Sequence, residues 1–334
     1  KIETTMPITS APFGTTPDGK EIKVFTITNK NGVTVKVIEF GGNVISIETP
    51  DRTGKLGHIT LGYDNLAQWM ENPTYFGSTI GRVGNRVAKG KFTVDGMEYQ
   101  LATNNGENHL HGGPEGFHKR VWSGSVVGDK LQLTYVSADM EEGYPGDLSV
   151  TVLFSVTDDD EFVLEYGAKT TKTTIVNLTN HSYFNLAGAG NGTVLDHEIV
   201  SNSTAYTVVD SGGIPSGVLA PVATTPFDFT TKTKIGARNS QLDNGYDHNY
   251  VVNRSGVEDG ALAPHMTVSE ATSGRSVTIS TTEPGCQLYV GGFLDGSNIG
   301  REKTGYVKFG GFCLESQKHP DSVNQVGFPS MTLK

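Results

Sequence analysis

Among its 334 residues the chain has only two cysteines, Cys286 and Cys313. Neither belongs to a C-x-x-C pair, so the sequence carries no disulfide framework and no cysteine metal motif. Both read as small buried apolar residues. No window reaches the ~18 apolar residues of a membrane-spanning helix. Basic residues are in the minority, 26 Lys and Arg against 36 Asp and Glu, for a formal net charge of −10. They do not cluster, and binding to a phosphate backbone needs clustered cations. Neither a nucleic-acid partner nor a membrane is therefore expected. Helical signals are also scarce. Asn65 to Met70 and Ile235 to Leu242 are the two candidates, both too short to cross between parallel strands. There is no G-x-S-x-G elbow and no P-loop. Gly81-Arg82-Val83-Gly84-Asn85-Arg86 lacks the third glycine and the strand-turn-helix setting of a dinucleotide fingerprint.

What the chain has is glycine, 42 residues of it, and short runs that alternate apolar with polar. In Val150 to Val156 the even positions are all apolar. A turn at Asp158-Asp159-Asp160 and the run Phe162 to Tyr166 complete a hairpin. Phe92 to Val94 and Met97 to Leu101 flank Asp95-Gly96, a pair suited to the positive φ angles of a type I′ turn. Ile22 to Thr28 with Val33 to Phe40, and Met266 to Glu270 with Ser276 to Thr282, make two more. Hairpins with few helices mean an antiparallel all-β protein. No linker, repeat or composition shift divides residues 1–334, which are expected to form one large β-sandwich domain.

Glu315 is the first candidate for chemistry. It sits in the apolar run Gly310 to Gln317, and Glu is rarely buried unless paired. A desolvated carboxylate has a raised pKa and exchanges protons near neutrality. On a strand it shares a face with Cys313 and Gln317, while Phe312, Leu314 and Ser316 face the other way. His181, within Asn177-Leu178-Thr179-Asn180-His181-Ser182-Tyr183-Phe184-Asn185, is flanked by short polar residues able to fix one tautomer. A structural ion pair for Glu315 and a core role for His181 are the plainer alternatives. His109 and His111 form an H-x-H pair, but no further metal ligands follow at a known spacing. Gly112 and Gly113 point to a close backbone approach instead. Arg86 beside Asn85 suits a sugar, whose hydroxyls both donate and accept. Asp247 lies between aromatics at the start of a strand, and Gln287 shares a face with Tyr289.

Taken in order, these segments resemble the aldose 1-epimerases, also called galactose mutarotases. The resemblance runs from Pro12-Phe13-Gly14 through Gly62-Tyr63-Asp64, Gly81 to Arg86, Asn108 to Gly113, Glu142 to Gly146, Asn177 to Leu186 and Asp247 to Tyr250, ending at Leu314-Glu315-Ser316-Gln317. It implies a large β-sandwich with a sugar in an open cleft and no cofactor or metal. It carries the catalytic base onto Glu315 and the acid onto His181. Substrate contacts fall on Asn85, Arg86, His111, Asp247 and Gln287, while His109 receives no role. The implied reaction interconverts the α and β anomers of free hexoses such as glucose and galactose. Glu315 takes the O1 proton, His181 protonates the ring oxygen, and the open chain rotates before closing. On this reading Glu315 starts ionised and His181 starts protonated.

A phosphorylated hexose would need a basic pocket, and among the motif residues only Arg86 is clearly cationic. A glycosidase would use Asp247 and Glu315 as its carboxylate pair. A non-catalytic sugar-binding module would need neither acid nor base. The expected partner is a small aldose, with the protein a monomer or weak dimer. The chain begins at Lys1, so the compartment stays open: cytoplasmic by default, exported or periplasmic as the alternative.

Overall fold

The computed structural model describes residues 8–334. Its architecture is antiparallel sheets with two short α-helices, Leu66–Glu71 and Gly236–Asn239. The first sheet is a five-strand meander, Thr9–Thr15, Glu21–Thr28, Thr34–Ile38, Val44–Pro50 and Leu56–His58. A four-strand meander follows, Ser123–Val127, Lys130–Ser137, Leu148–Val156 and Phe162–Thr170. The other two large sheets interleave along the chain. One orders Thr233–Lys234, Glu198–Ser201, Ala263–Ser269 and Ser276–Thr281; the other orders Pro215–Pro221, Ala205–Val209, Asp247–Val251, Gly285–Tyr289 and Cys313–Gln317.

Period-2 patterning decides which face each strand buries. Leu148, Val150, Val152 and Phe154 are at most 1% exposed, and they join a core that includes Phe25 and Val35 of the first sheet and Tyr250, Leu288 and Phe312 near the last. Burying each such side chain contributes about 1.5–3 kcal/mol, so this shared core holds the layers together in a sandwich. The hairpins expected from the sequence form as read. At Asp95-Gly96 both residues take positive φ, 48° and 77°, matching the turn that joins Lys91–Val94 to Met97–Gln100.

The first helix is capped by Asn65, whose side chain accepts from the Gln68 N–H, as short polar N-caps do. The second is shorter than its sequence suggests, stopping at Asn239 rather than Leu242. It opens on Gly236, a poor helix former, and the backbone turns back through Gly245 at φ 74°.

Candidate active site

Three neighbouring strands of the last sheet build one wall of the site. Pairing sets Asn249 opposite Gln287 and Gln287 opposite Glu315; one row along, Asp247 is opposite Tyr289 and Tyr289 opposite Cys313. Directly opposed residues project from the same face, so Asp247, Gln287 and Glu315 share one surface. Gln287 Nε2 donates to Asp247 Oδ1 at 2.7 Å. Glu315 is on the edge strand of this sheet, with its side chain only 2% exposed.

His181 comes from a different segment, just after the short strand Thr179–Asn180. Its N–H donates to Ser78 O and its carbonyl accepts from the Gly77 N–H, both at 3.0 Å. The imidazole stacks on Tyr183, with ring centres 5.1 Å apart. Its Nε2 lies 3.6 Å from Glu315 Oε1, and its Nδ1 lies 3.5 Å from Cys313 Sγ.

His111 reaches the same place through a backbone exception. The strand His109–Leu110 ends one residue before it, and His111 takes φ 51°. The two histidines therefore do not project from one strand face. His109 Nδ1 meets Ala102 O at 2.7 Å, and its Nε2 meets Tyr144 Oη at 2.6 Å. Both of its nitrogens are thus used by the scaffold. At His111 the Asn85 N–H donates to Nδ1 at 3.2 Å, and the His111 N–H donates back to Asn85 O at 3.1 Å. A neutral imidazole whose Nδ1 accepts carries its proton on Nε2, so His111 presents a donor. Its ring centre is 5.1 Å from that of His181. Asn85 also has positive φ, 59°, a conformation Asn tolerates better than most residues. The close approach expected at Gly112 and Gly113 is backbone against protein. A Cβ on Gly112 would lie 1.8 Å from Gly81 O, and one on Gly113 would lie 2.1 Å from Glu142 Oε2.

Next to this cluster is a cleft of about 810 Å³, lined in part by Asn85, Arg86, Asp247 and Gln287. Glu315, His181 and His111 are not in its lining. They lie behind it, and Gln287, which lines the cleft, is the direct cross-strand neighbour of Glu315. Arg86 is steadied by Asn105, with Nε donating to Oδ1 at 3.0 Å.

Burial dominates the electrostatics. It holds the Glu315 carboxyl well above the usual carboxylate range; the Asp247 charge adds to this and Arg86 opposes it. Burial pushes His181 down to about 4, partly offset by a hydrogen bond to its own backbone and by Asp247. Burial also holds His111 well below the usual imidazole range, reinforced by His181 and Arg86. Glu315 Oε2 has no hydrogen-bond partner among the described residues. In both groups burial favours the neutral form, a protonated carboxyl and an unprotonated imidazole, against the charged pair expected from the sequence. The reason is desolvation, which penalises two charges more than two neutral groups when hydrogen bonds do not compensate. Either arrangement leaves one proton on the pair, so a small change in surroundings can move it.

Glu315, His181 and His111 each offer a ligand atom, all within 4.8 Å of one another. The tautomer set by Asn85 weighs against a metal, because coordination through His111 Nε2 would have to displace its proton. All seven residues singled out from the sequence gather around the cleft or directly behind it. Tyr75 was not foreseen; its ring centre lies 4.8 Å from that of His111 and 6.0 Å from that of His181. Phe293, 64% exposed, also lines the cleft and was not foreseen. An aromatic directly after Gly291-Gly292 was the available signal.

A family model described as aldose 1-epimerase matches residues 23–334. A galactose mutarotase of Bos taurus is 42% identical over 329 residues, covering 98% of this chain and 94% of its own length. An aldose 1-epimerase of Escherichia coli is 35% identical, covering 94% and 91%. Among solved structures, an aldose epimerase homologue from C. elegans superposes with a TM-score of 0.85 at 27% identity, covering 92% of this chain and 93% of its own. A galactose 1-epimerase from Lactobacillus acidophilus superposes with a TM-score of 0.82 at 25% identity, covering 98% and 96%. The chain is an enzyme of the isomerase type and belongs to the aldose 1-epimerase family.

Proposed function

We propose that the protein interconverts the α and β anomers of free hexoses such as galactose and glucose, acting through residues 1–334 as one domain. The observation that carries this reading is a carboxyl and an imidazole, Glu315 and His181, 3.6 Å apart and buried behind a polar cleft. Anomerisation needs one proton removed and one delivered, with no net change, and an adjacent carboxyl and imidazole can between them do both.

The pyranose enters with its anomeric hydroxyl beside Glu315, whose Oε2 has no partner among the described residues. A hydroxyl donated to that oxygen favours the carboxylate and shifts the pair's proton to His181 Nε2. Glu315 then takes the O1 proton while His181 delivers its proton to O5. The C1–O5 bond breaks, C1=O1 forms, and the open chain rotates about C1–C2. Closure on the other face reverses both transfers. Each transfer contributes typically ~10²–10⁴-fold, a suitable scale for a reaction that already proceeds in water. His111 donates from Nε2 near the ring oxygen. Arg86, Asn85, Asp247 and Gln287 hold the other hydroxyls.

The lining of the cleft favours a neutral sugar over a phosphorylated one. Arg86 is its one Lys or Arg, against four carboxylates, Glu107, Asp210, Asp243 and Asp247. A dianionic phosphate would meet more repulsion than attraction there. The test is polarimetry on freshly dissolved α-D-galactose and α-D-glucose, with hexose 6-phosphates and a glycoside in parallel. Faster relaxation for the free hexoses alone is expected. Acceleration only for the phosphates, or release of reducing ends from the glycoside, would overturn the reading.

A further inference from the structure

Gln287 is held from behind by a row of buried polar side chains that the mechanism does not use. Gln317 Nε2 donates to Gln287 Oε1 at 3.3 Å and to Asn249 Oδ1 at 3.2 Å. Asn249 Nδ2 lies 2.9 Å from His319 Nδ1. Asn249, Gln287, Gln317 and His319 are at most 3% exposed. The row is built by the sheet. Asn249 and Gln287 are direct cross-strand neighbours, and Gln317 is two residues beyond Glu315 on the same face.

A primary amide can be turned end for end with little change in shape, so its direction must be set by its partners. At one end of the row the Asp247 carboxylate accepts from Gln287. At the other, His319 Nδ1 accepts from Asn249 if the imidazole proton is on Nε2. Between these ends each amide nitrogen meets an acceptor, Asn249 N at His319, Gln317 N at Asn249 O and Gln287 O, and Gln287 N at Asp247, while Gln317 Oε1 is left without a partner among the described residues. If the row were reversed, the Gln287 oxygen would face the Asp247 carboxylate.

We propose that Gln317, backed by Asn249 and His319, is a positioning residue that fixes the direction of the Gln287 amide and so presents Gln287 and Asp247 to the substrate. This rests on the reading of the cleft as a sugar site. Gln317 touches no substrate, and its effect passes through Gln287. It therefore belongs to substrate binding rather than to proton transfer.

The experiment is a double-mutant cycle read by anomer exchange on galactose. Gln317→Met is expected to raise KM about tenfold, on the scale of one lost buried hydrogen bond, with kcat changing less than about threefold. Gln287→Met raises KM at least as much. The double variant should match Gln287→Met alone, because the two substitutions remove one device. Multiplying effects would overturn the proposal, as would a lowered Tm with KM unmoved. A second measurement needs only the wild type: nitrogen NMR should find His319 neutral with its proton on Nε2, and a proton on Nδ1 would overturn the proposal even if Gln317→Met fails to fold. If the wild type accelerates no aldose, the activity reading fails by itself. Galactose affinity by calorimetry across the same cycle then decides the positioning role, and absence of any binding to the wild type overturns both.

Discussion

Arg82 and Arg86 stand four residues apart in one motif, and His109 and His111 two apart in another, yet within each pair the protein uses one residue up and leaves the other available. Arg82 is 2% exposed. Its Nε donates to Ser137 Oγ, its Nη1 to Pro145 O, and its Nη2 to Ser137 O and Ala138 O, at 2.8–3.0 Å. Arg86 makes one side-chain hydrogen bond, to Asn105, and lines the cleft. His109 has both nitrogens occupied, whereas His111 has one. The difference separates scaffold from site: where hydrogen-bonding capacity is fully consumed inside the protein the residue holds the fold, and where it is left over the residue is free for a ligand. Glu315 is the extreme case, buried with one oxygen unpartnered.

The comparison can be broken most readily at its extreme. His181→Gln should lower kcat by roughly 10²–10⁴-fold, and adding Glu315→Gln should cost far less than the product of the two losses, because the pair acts as a unit. Steady-state anomer exchange would check this, and multiplicative losses would show independent roles. Next comes the arginine contrast. Arg82→Met leaves the carbonyls of Ser137, Ala138 and Pro145 without their donor and should destabilise by about 2–4 kcal/mol. Arg86→Met should leave the denaturation midpoint nearly unchanged while raising KM about tenfold. Equal stability losses would dissolve the distinction. The histidine contrast is smaller. His109→Phe orphans Tyr144 Oη and Ala102 O and should cost about 1–3 kcal/mol of stability, with catalysis kept in the folded fraction. His111→Phe should instead lower kcat/KM by about ten- to a hundredfold with little loss of stability.

The pH dependence is broader and gentler. Burial pushes His109, His181, His197, His265 and His319 down to about 4 and His118 to about 3. A histidine depressed in the folded state contributes stability that is fully present above its unfolded value of about 6.5 and is lost as pH falls towards the folded value. Thermal unfolding should therefore show a midpoint that drops steeply as pH falls from 6.5 to 4. A flat profile down to pH 4 would show that these rings are not held neutral.

Much of the fold was legible because its signals are local. Alternation marked Val150 to Val156 of the strand Leu148–Val156, and an Asp-Gly pair marked the turn at Asp95-Gly96. The burial of Glu315 could be read from an apolar run around one carboxylate. The division between Arg82 and Arg86 could not, since the partners of Arg82 lie at positions 137, 138 and 145 and meet it only in the folded sandwich. Likewise, His111 leaves the strand on which His109 lies through a positive φ that its own sequence does not announce. Where the pair's proton rests could not be read either: it depends on how completely His181 and Glu315 are desolvated, a property of the whole surround.

The role proposed for Glu315, base of an anomerisation site, is tested directly by one comparison. Saturation transfer between the α and β anomeric protons of galactose at pH 7 would be measured for the wild type and Glu315→Gln, with galactose affinity for both by calorimetry. Exchange well above the spontaneous rate is expected for the wild type and near the spontaneous rate for the variant, with affinities within a few-fold of each other. A variant that binds galactose and exchanges its anomers at close to the wild-type rate would contradict that role.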